Sequence, residues 1–200
     1  MQQDEPKVLP LFSIPLYKGK VKIEESVKNI VLNEKYTRMR SGTGHISKNT
    51  FILDLPEFKS LKDEVEIHVK NYVYKFLKVS ETMNFYIQNS WLVKHFPKDY
   101  AISHSHSNCL IIGVLYLKVN KNSGQIIFEK PNGYTNLFHQ CMNVPFSALD
   151  NNNCDSWCEY PENNDILIFP AHLQHRVEIN NSNEDRYSLA FNLNVEGIFS

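Results

Sequence analysis

Three histidines and an arginine in the second half of the chain carry most of its chemical information. His104 and His106 open the run HSHSNCLIIGVLYLKV, whose apolar and β-branched residues read as a strand. His175 follows a second apolar run, DILIFP, and Arg186 begins a third, RYSLAFN. Alternate residues of a strand project to one face, so His104 and His106 are expected to aim two imidazoles at one point, with His175 arriving from a distant strand. Three nitrogen ligands on one side of an octahedral metal leave positions open, which metal-dependent oxygen chemistry requires. Arg186 would add a fixed fork of donors for a carboxylate beside that metal. Ser188 shares its strand face and adds a hydroxyl. Each part alone has a plain reading: paired histidines as hydrogen-bonded surface groups, a single arginine as a salt bridge. Four parts in a workable order favour the metal site.

Other candidates are weaker. His172 stands three residues before His175 and competes with it as the distal ligand; the spacing from His175 to Arg186 favours His175. His45, His68, His95 and His139 have no evident partners, and His68 lies off the apolar stripe of its helix, toward solvent. Cys154 and Cys158 could join His139 on zinc, but no further Cys or His pair is placed to close a tetrahedron. Without a secretory leader, Cys109, Cys141, Cys154 and Cys158 read as reduced thiols.

These residues must be held by strands. FYIQNSWLVKHF, NCLIIGVLYLKV, GQIIFEK, DILIFP, HRVEIN and RYSLAFNLNV are strand-like and separated by turn residues. Residues 8–17, broken by Pro10 and Pro15, suit an edge strand, and RMRSGTGHISKNT reads as a loop. Residues 131–163 are Asn-rich without a sustained period, which predicts a long excursion of the kind that meets substrate. Ahead of the strands lie a short helix near Glu24 to Glu34 and a longer one. In the longer one Phe58, Leu61, Val65, Val69, Tyr72 and Phe76 recur every three or four residues as an apolar stripe, to be buried against a sheet. The pattern predicts an α+β protein: a double-stranded β-helix (jelly roll) over 84–200, with an N-terminal strand and supporting helices over 1–80, in one domain spanning 1–200.

The bulk numbers exclude several classes. A chain of 200 residues with 42% hydrophobic and 12% aromatic content is neither disordered nor short of core. Its 21 basic and 22 acidic residues leave a net charge of −1, without a basic footprint for nucleic acid. No apolar run reaches membrane-span length and the start lacks a leader pattern, so a cytoplasmic protein without membrane or nucleic-acid partners is expected. The pattern leaves room for a homodimer.

The motifs also carry a resemblance. Leu11-Phe12-Ser13-Ile14-Pro15-Leu16-Tyr17, Ser90-Trp91, His104-Ser105-His106, Gly113-Val114-Leu115-Tyr116-Leu117, the run from Leu167 through His175, Val177 and Asn180, and Arg186 to Asn192 together resemble a family of 2-oxoglutarate/Fe(II) oxygenases. That family is related to prolyl hydroxylases and found in marine bacteria and their phages. The likeness spans nearly the whole chain, and its last two motifs are the most specific. It implies a double-stranded β-helix with Fe(II) and 2-oxoglutarate in the barrel mouth. His104 and His175 would be iron ligands, and Arg186, with Ser188 and Tyr116, would hold the cosubstrate. A peptidyl or small-molecule substrate would be hydroxylated, with release of succinate and CO2.

His106 departs from the resemblance, standing where most such enzymes carry an aspartate. Either three histidines bind the metal, or His106 is not a ligand and the site is altered. Asp99 lies before the pair and Glu129 on a later strand, so neither restores the usual triad. Two alternatives remain beside the oxygenase: a three-histidine, cupin-like dioxygenase that uses no 2-oxoglutarate, and a non-catalytic metal-binding jelly-roll module.

Overall fold

The computed structural model describes residues 7–9, 11–131 and 144–197. Its strands, in chain order, are β1 (Tyr17–Lys20), β2 (Tyr36–Arg38), β3 (His45–Ser47), β4 (Asn84–His95), β5 (Ala101–His104), β6 (Ile111–Lys118), β7 (Ile126–Glu129), β8 (Ser156–Glu159), β9 (Asp165–Pro170), β10 (His175–Val177) and β11 (Arg186–Glu196). The helices are α1 (Glu25–Asn33) and α2 (Lys59–Lys70), the latter running into a π-helical turn, Asn71–Phe76. Every pair of these strands is antiparallel. A seven-stranded sheet has the order β1-β9-β6-β11-β4-β3-β2, and a four-stranded sheet the order β5-β10-β7-β8. This is the double-stranded β-helix expected from the strand pattern.

Two apolar layers result, and strand parity assigns residues to them. Leu92, Leu115, Leu117, Ile166, Ile168, Leu189, Phe191 and Leu193 point from the large sheet to the helices, meeting Val27, Val31, Leu61, Val65 and Val69. The alternate positions Ile112, Tyr116, Leu167 and Phe169 face the small sheet, packing with Ile126 and Phe128. Gly113 sits where a Cβ would run into the Phe191 ring, so the glycine lets β6 and β11 keep their register around that ring.

Several expectations are corrected. The N-terminal strand is β1, beginning where residues 8–17 end, and it does lie on a sheet edge. Pro15 has no N–H for a ladder, which accounts for pairing starting later. The segment expected as a loop begins on the last residue of β2 and contains β3, and the two strands form a hairpin with Arg38 opposite His45. The 131–163 excursion includes β8, paired with β7 on the small sheet's edge; residues 132–143, with His139 and Cys141, lie outside the described residues.

The long helix keeps most of its predicted stripe. Phe58, Leu61, Val65, Val69 and Tyr72 are buried, but Phe76 is 60% exposed. In the π turn the Leu77 amide bonds back to the Tyr72 carbonyl, five residues earlier. The wider turn breaks the three-four periodicity, seating Val73 in the core and swinging Phe76 out. His68 is not left to solvent either. Its Nε2 lies 3.1 Å from the Lys20 carbonyl, so Nε2 donates, and Nδ1 accepts the Tyr17 hydroxyl at 2.7 Å. The imidazole thereby ties α2 to the edge strand. Two substitutions test the helix register. Leu61→Ala should lower stability in urea unfolding by about 2–5 kcal/mol. Phe76→Ala should cost less than about 1 kcal/mol, since the ring stays largely in water. Equal losses would contradict the register change at the π turn.

Candidate metal centre and cosubstrate pocket

The small sheet places the first two histidines. His175 opens β10 directly opposite His104, the last residue of β5. Backbone carbonyls fix both rings: His104 Nδ1 is 2.7 Å from the Ile102 oxygen and His175 Nδ1 is 2.9 Å from the Leu173 oxygen. A carbonyl only accepts, so each Nδ1 carries the proton and each Nε2 keeps a free lone pair.

His106 joins them by a different route from the one its spacing suggests. β5 ends at His104, so the two histidines do not share a strand face. The chain turns here toward the large sheet, with Asn108 in the left-handed region and the His106 amide bonded to the Ala171 carbonyl at 2.9 Å. The His106 ring lies parallel to His175, 2° between planes and 5.3 Å between centroids, with Trp91 stacked against it. One ligand atom from each of His104, His106 and His175 lies within 4.8 Å of the others. A single metal ion touching all three needs such convergence.

No other residue type completes this group among the described residues. Glu129 bonds the Ser103 hydroxyl and pairs with Arg176. Asp99 caps the Phe96 amide and faces His45. His172 is exposed and outside the cluster, so the geometry favours His175 over it. Cys109, Cys154 and Cys158 are free thiols.

Beside the histidines a cavity of about 430 Å³ opens between the sheets. Strand parity carries Arg186, Ser188 and Ala190 from β11 into it, along with Trp91, Val93 and His95 from β4 and Tyr116 from β6. Arg186 is 2% exposed, and its Nε and Nη1 have no hydrogen-bond partner. The guanidinium lies over the face of Tyr116, Cζ 5.3 Å from the ring centroid. The Tyr116 hydroxyl makes no hydrogen bond of ordinary geometry, and burial pushes its pKa up to about 12 while the charge and N–H of the adjacent Arg186 pull it down.

Sequence reasoning misses His95. It pairs across the ladder with Arg186 and is 3% exposed, with both ring nitrogens unpartnered. Its parity with Trp91 and Val93 is a legible signal; its position opposite Arg186 is not. Burial, then the neighbouring Arg186 and His45, hold its pKa down at about 3. Burial likewise lowers His106 to about 4 and His175 to about 3, with His104 adding to both.

The residues therefore fit a divalent metal and a dicarboxylate together. Histidine binds a metal only as the neutral imidazole, and burial keeps His106 and His175 neutral. The orphaned guanidinium, phenol and imidazole are the donors an incoming carboxylate would satisfy. The depressed histidines also set a pH dependence in the metal-free protein. Unfolded histidines protonate near pH 6.5. Between there and pH 4 the unfolded chain binds protons that folded His95, His106 and His175 refuse. Stability should thus be lost as pH falls through this window, by up to about 1.4 kcal/mol per pH unit for each fully titrating group. Urea unfolding at pH 7.5, 6.5, 5.5 and 5.0, above most carboxylate titration, checks this. A flat profile would contradict the buried neutral imidazoles.

Residues 89–192, just over half of the chain, match the family model described as "Putative 2OG-Fe(II) oxygenase". No curated protein matches the chain. Among solved structures it is similar to a Pseudomonas putida prolyl-4-hydroxylase, at 12% identity over 94% of this chain and 96% of that one, with a TM-score of 0.56. HygX from Streptomyces hygroscopicus, solved with nickel and 2-oxoglutarate, is 11% identical over 90% and 83% of the two chains, with a TM-score of 0.60. A prolyl hydroxylase from Trichoplax adhaerens, in complex with a hypoxia inducible factor peptide fragment, is 12% identical over 89% and 82%, with a TM-score of 0.56. At these identities the structures establish a shared fold, while the family match rests on the segment that carries the histidines and Arg186. The chain belongs to the 2-oxoglutarate/Fe(II) oxygenase family, a family of oxidoreductases that use Fe(II) and 2-oxoglutarate.

Proposed function

We propose that the chain is a hydroxylase acting on a peptidyl side chain or a small molecule, with a first-row metal on His104, His106 and His175 and 2-oxoglutarate on Arg186. The observation that carries this reading is a buried guanidinium with two unpartnered nitrogens in the same cavity as three convergent imidazoles. A bound Fe(II) with 2-oxoglutarate supplies oxygen activation coupled to decarboxylation, giving succinate and CO2. The chain's own residues do the rest. The Ile102 and Leu173 carbonyls hold the tautomers of His104 and His175, so both present Nε2 to the metal. Arg186 and Ser188 would hold the distal carboxylate, with Tyr116 and His95 as further donors beside them. Phe169 packs edge-on against His175 at 5.0 Å, and Trp91 covers His106; both restrict water around the ligands.

Arg186→Ala is the direct test. Removing one member of a buried charge pair typically costs about 2–5 kcal/mol, or roughly 30- to several-thousand-fold in affinity. Calorimetric titration of 2-oxoglutarate with inert Mn(II) present should show that loss, while Mn(II) itself still binds. His175→Ala should do the reverse in order, abolishing tight Mn(II) binding first. Equal cosubstrate affinity in parent and Arg186→Ala, or no binding to the parent, would remove the proposal. The second outcome would leave the dioxygenase that needs no 2-oxoglutarate.

A further inference from the structure

The cavity has a second cationic feature at its mouth. The segment 38–41, from the end of β2 into its turn, forms one wall, and Arg38 and Arg40 both line the opening. Both are exposed, and neither has an ion pair or hydrogen bond from its side chain among the described residues. Among the described residues that line the cavity with them there is no aspartate or glutamate.

This wall is pinned to the strand that carries a metal-site histidine. Gly42 bridges Ala101 at the head of β5, the Thr43 amide bonds the Tyr100 carbonyl at 3.1 Å, and the Ile102 amide bonds the Ser41 carbonyl at 3.1 Å. At the hairpin's other side the Met39 amide bonds the Gly44 carbonyl at 2.8 Å. Gly42 has φ +145°, and a Cβ there would collide with the Tyr100 carbonyl. The approach is therefore open only to glycine. The backbone bonds of Ser41 and Thr43, one on either side of it, hold the arginine-bearing turn at a fixed place over the cavity. An unanchored surface arginine needs no explanation; a pair held over a binding site by a close backbone approach has a defined target.

Charge balance says what that target is. With three neutral histidines, a divalent metal is offset by the doubly charged cosubstrate, and Arg186 remains as net positive charge. A centre with a carboxylate ligand would have been neutral at this point. Arg38 and Arg40 then add two more cations at the entrance. Taking the oxygenase reading above as its basis, we infer that the substrate to be oxidised carries an anionic group, a carboxylate or a phosphate, held by Arg38 and Arg40 at the cavity mouth. Arginine's planar fork matches either oxyanion in two parallel hydrogen bonds. The apolar lining, with Trp91, Val93 and Val114, suits a carbon chain attached to that anion.

The test uses the full chain, in excess over Mn(II) and saturated with 2-oxoglutarate, without oxygen. Mn(II) broadens the proton resonances of any small molecule that resides near it. The probes are butanoate and butyl phosphate, with butanamide and 1-butanol as their neutral counterparts. An anionic probe should broaden on addition of Mn(II), and its neutral partner should not. Which of the two broadens more distinguishes carboxylate from phosphate. The double variant Arg38→Gln/Arg40→Gln should weaken the effect on the order of tenfold or more, the worth of one good charge-assisted hydrogen bond, and Arg38→Lys/Arg40→Lys should recover part of it. Both positions are exposed, so the fold should persist, and calorimetric 2-oxoglutarate affinity should stay within about twofold of the parent. Equal broadening of the neutral probes, an unchanged double variant, or no broadening of either anion would overturn the inference. Loss of 2-oxoglutarate binding in the double variant would also overturn it, assigning these arginines to the cosubstrate. Failure of the parent to bind Mn(II) or 2-oxoglutarate would instead remove the oxygenase reading on which the inference rests.

Discussion

A guanidinium held at 2% exposure, with no carboxylate paired to it among the described residues, is a standing cost to this fold. Arginine cannot shed its proton in a protein, so burial does not resolve itself by neutralisation as it does for the neighbouring histidines. Burying an ion costs several kcal/mol, and the face of Tyr116 returns only part of that. The remainder is offset elsewhere, in the layer where α1 and α2 cover the large sheet. That layer is built from apolar side chains and aromatic rings, which is where a domain can accumulate stability. Division of labour follows from strand parity: on β11, Leu189, Phe191 and Leu193 hold the fold, while Arg186, Ser188 and Ala190 face the cavity.

The same parity explains which parts are legible in sequence. Arg186 and Ser188 are two apart on a strand, and their shared face follows from the strand's period alone. The three histidines converge, but two of them do so for a reason that strand alternation does not supply. His104 and His106 meet because β5 ends between them and the chain turns, and a turn of that kind depends on the tertiary bond from His106 to Ala171. His95 cannot be paired with Arg186 without the β4–β11 register, which no local pattern encodes. The β2–β3 hairpin is hidden for a related reason. Its strands have three residues each, too short for alternation to rise above the glycine, serine and threonine around them. The helix stripe fails at Phe76 because a π turn changes the period that the stripe assumes.

In the proposed metal centre, a His106 ligand in place of a carboxylate would change more than the ligand count. A carboxylate would lower the charge of the centre by one and would accept hydrogen bonds from surrounding donors. An imidazole does neither, and here it gains its place by packing, between Trp91 and the parallel ring of His175. The stack fixes ring orientation as the Ile102 and Leu173 carbonyls do for His104 and His175, but through apolar contact. Trp91 thereby has two duties, because the same indole also forms part of the cavity wall. Geometry at the metal and the shape presented to substrate are coupled through one side chain.

That coupling bears on how the site keeps its charge under control. With no carboxylate among the described residues lining the cavity, anions from outside would balance a bound metal and Arg186. In the proposed site, 2-oxoglutarate would bring two negative charges to a metal and a guanidinium in a low-dielectric wall, so charge as well as shape would set its position. An entrance bearing Arg38 and Arg40 extends the same field outward, raising the local concentration of anions before they reach the metal. Because both arginines sit in water, their contribution is screened by salt over roughly 8–10 Å at physiological ionic strength, whereas that of Arg186 is not. Binding at the mouth should accordingly weaken with ionic strength while the grip on the cosubstrate persists, and the two arginine sites are separable by that difference alone.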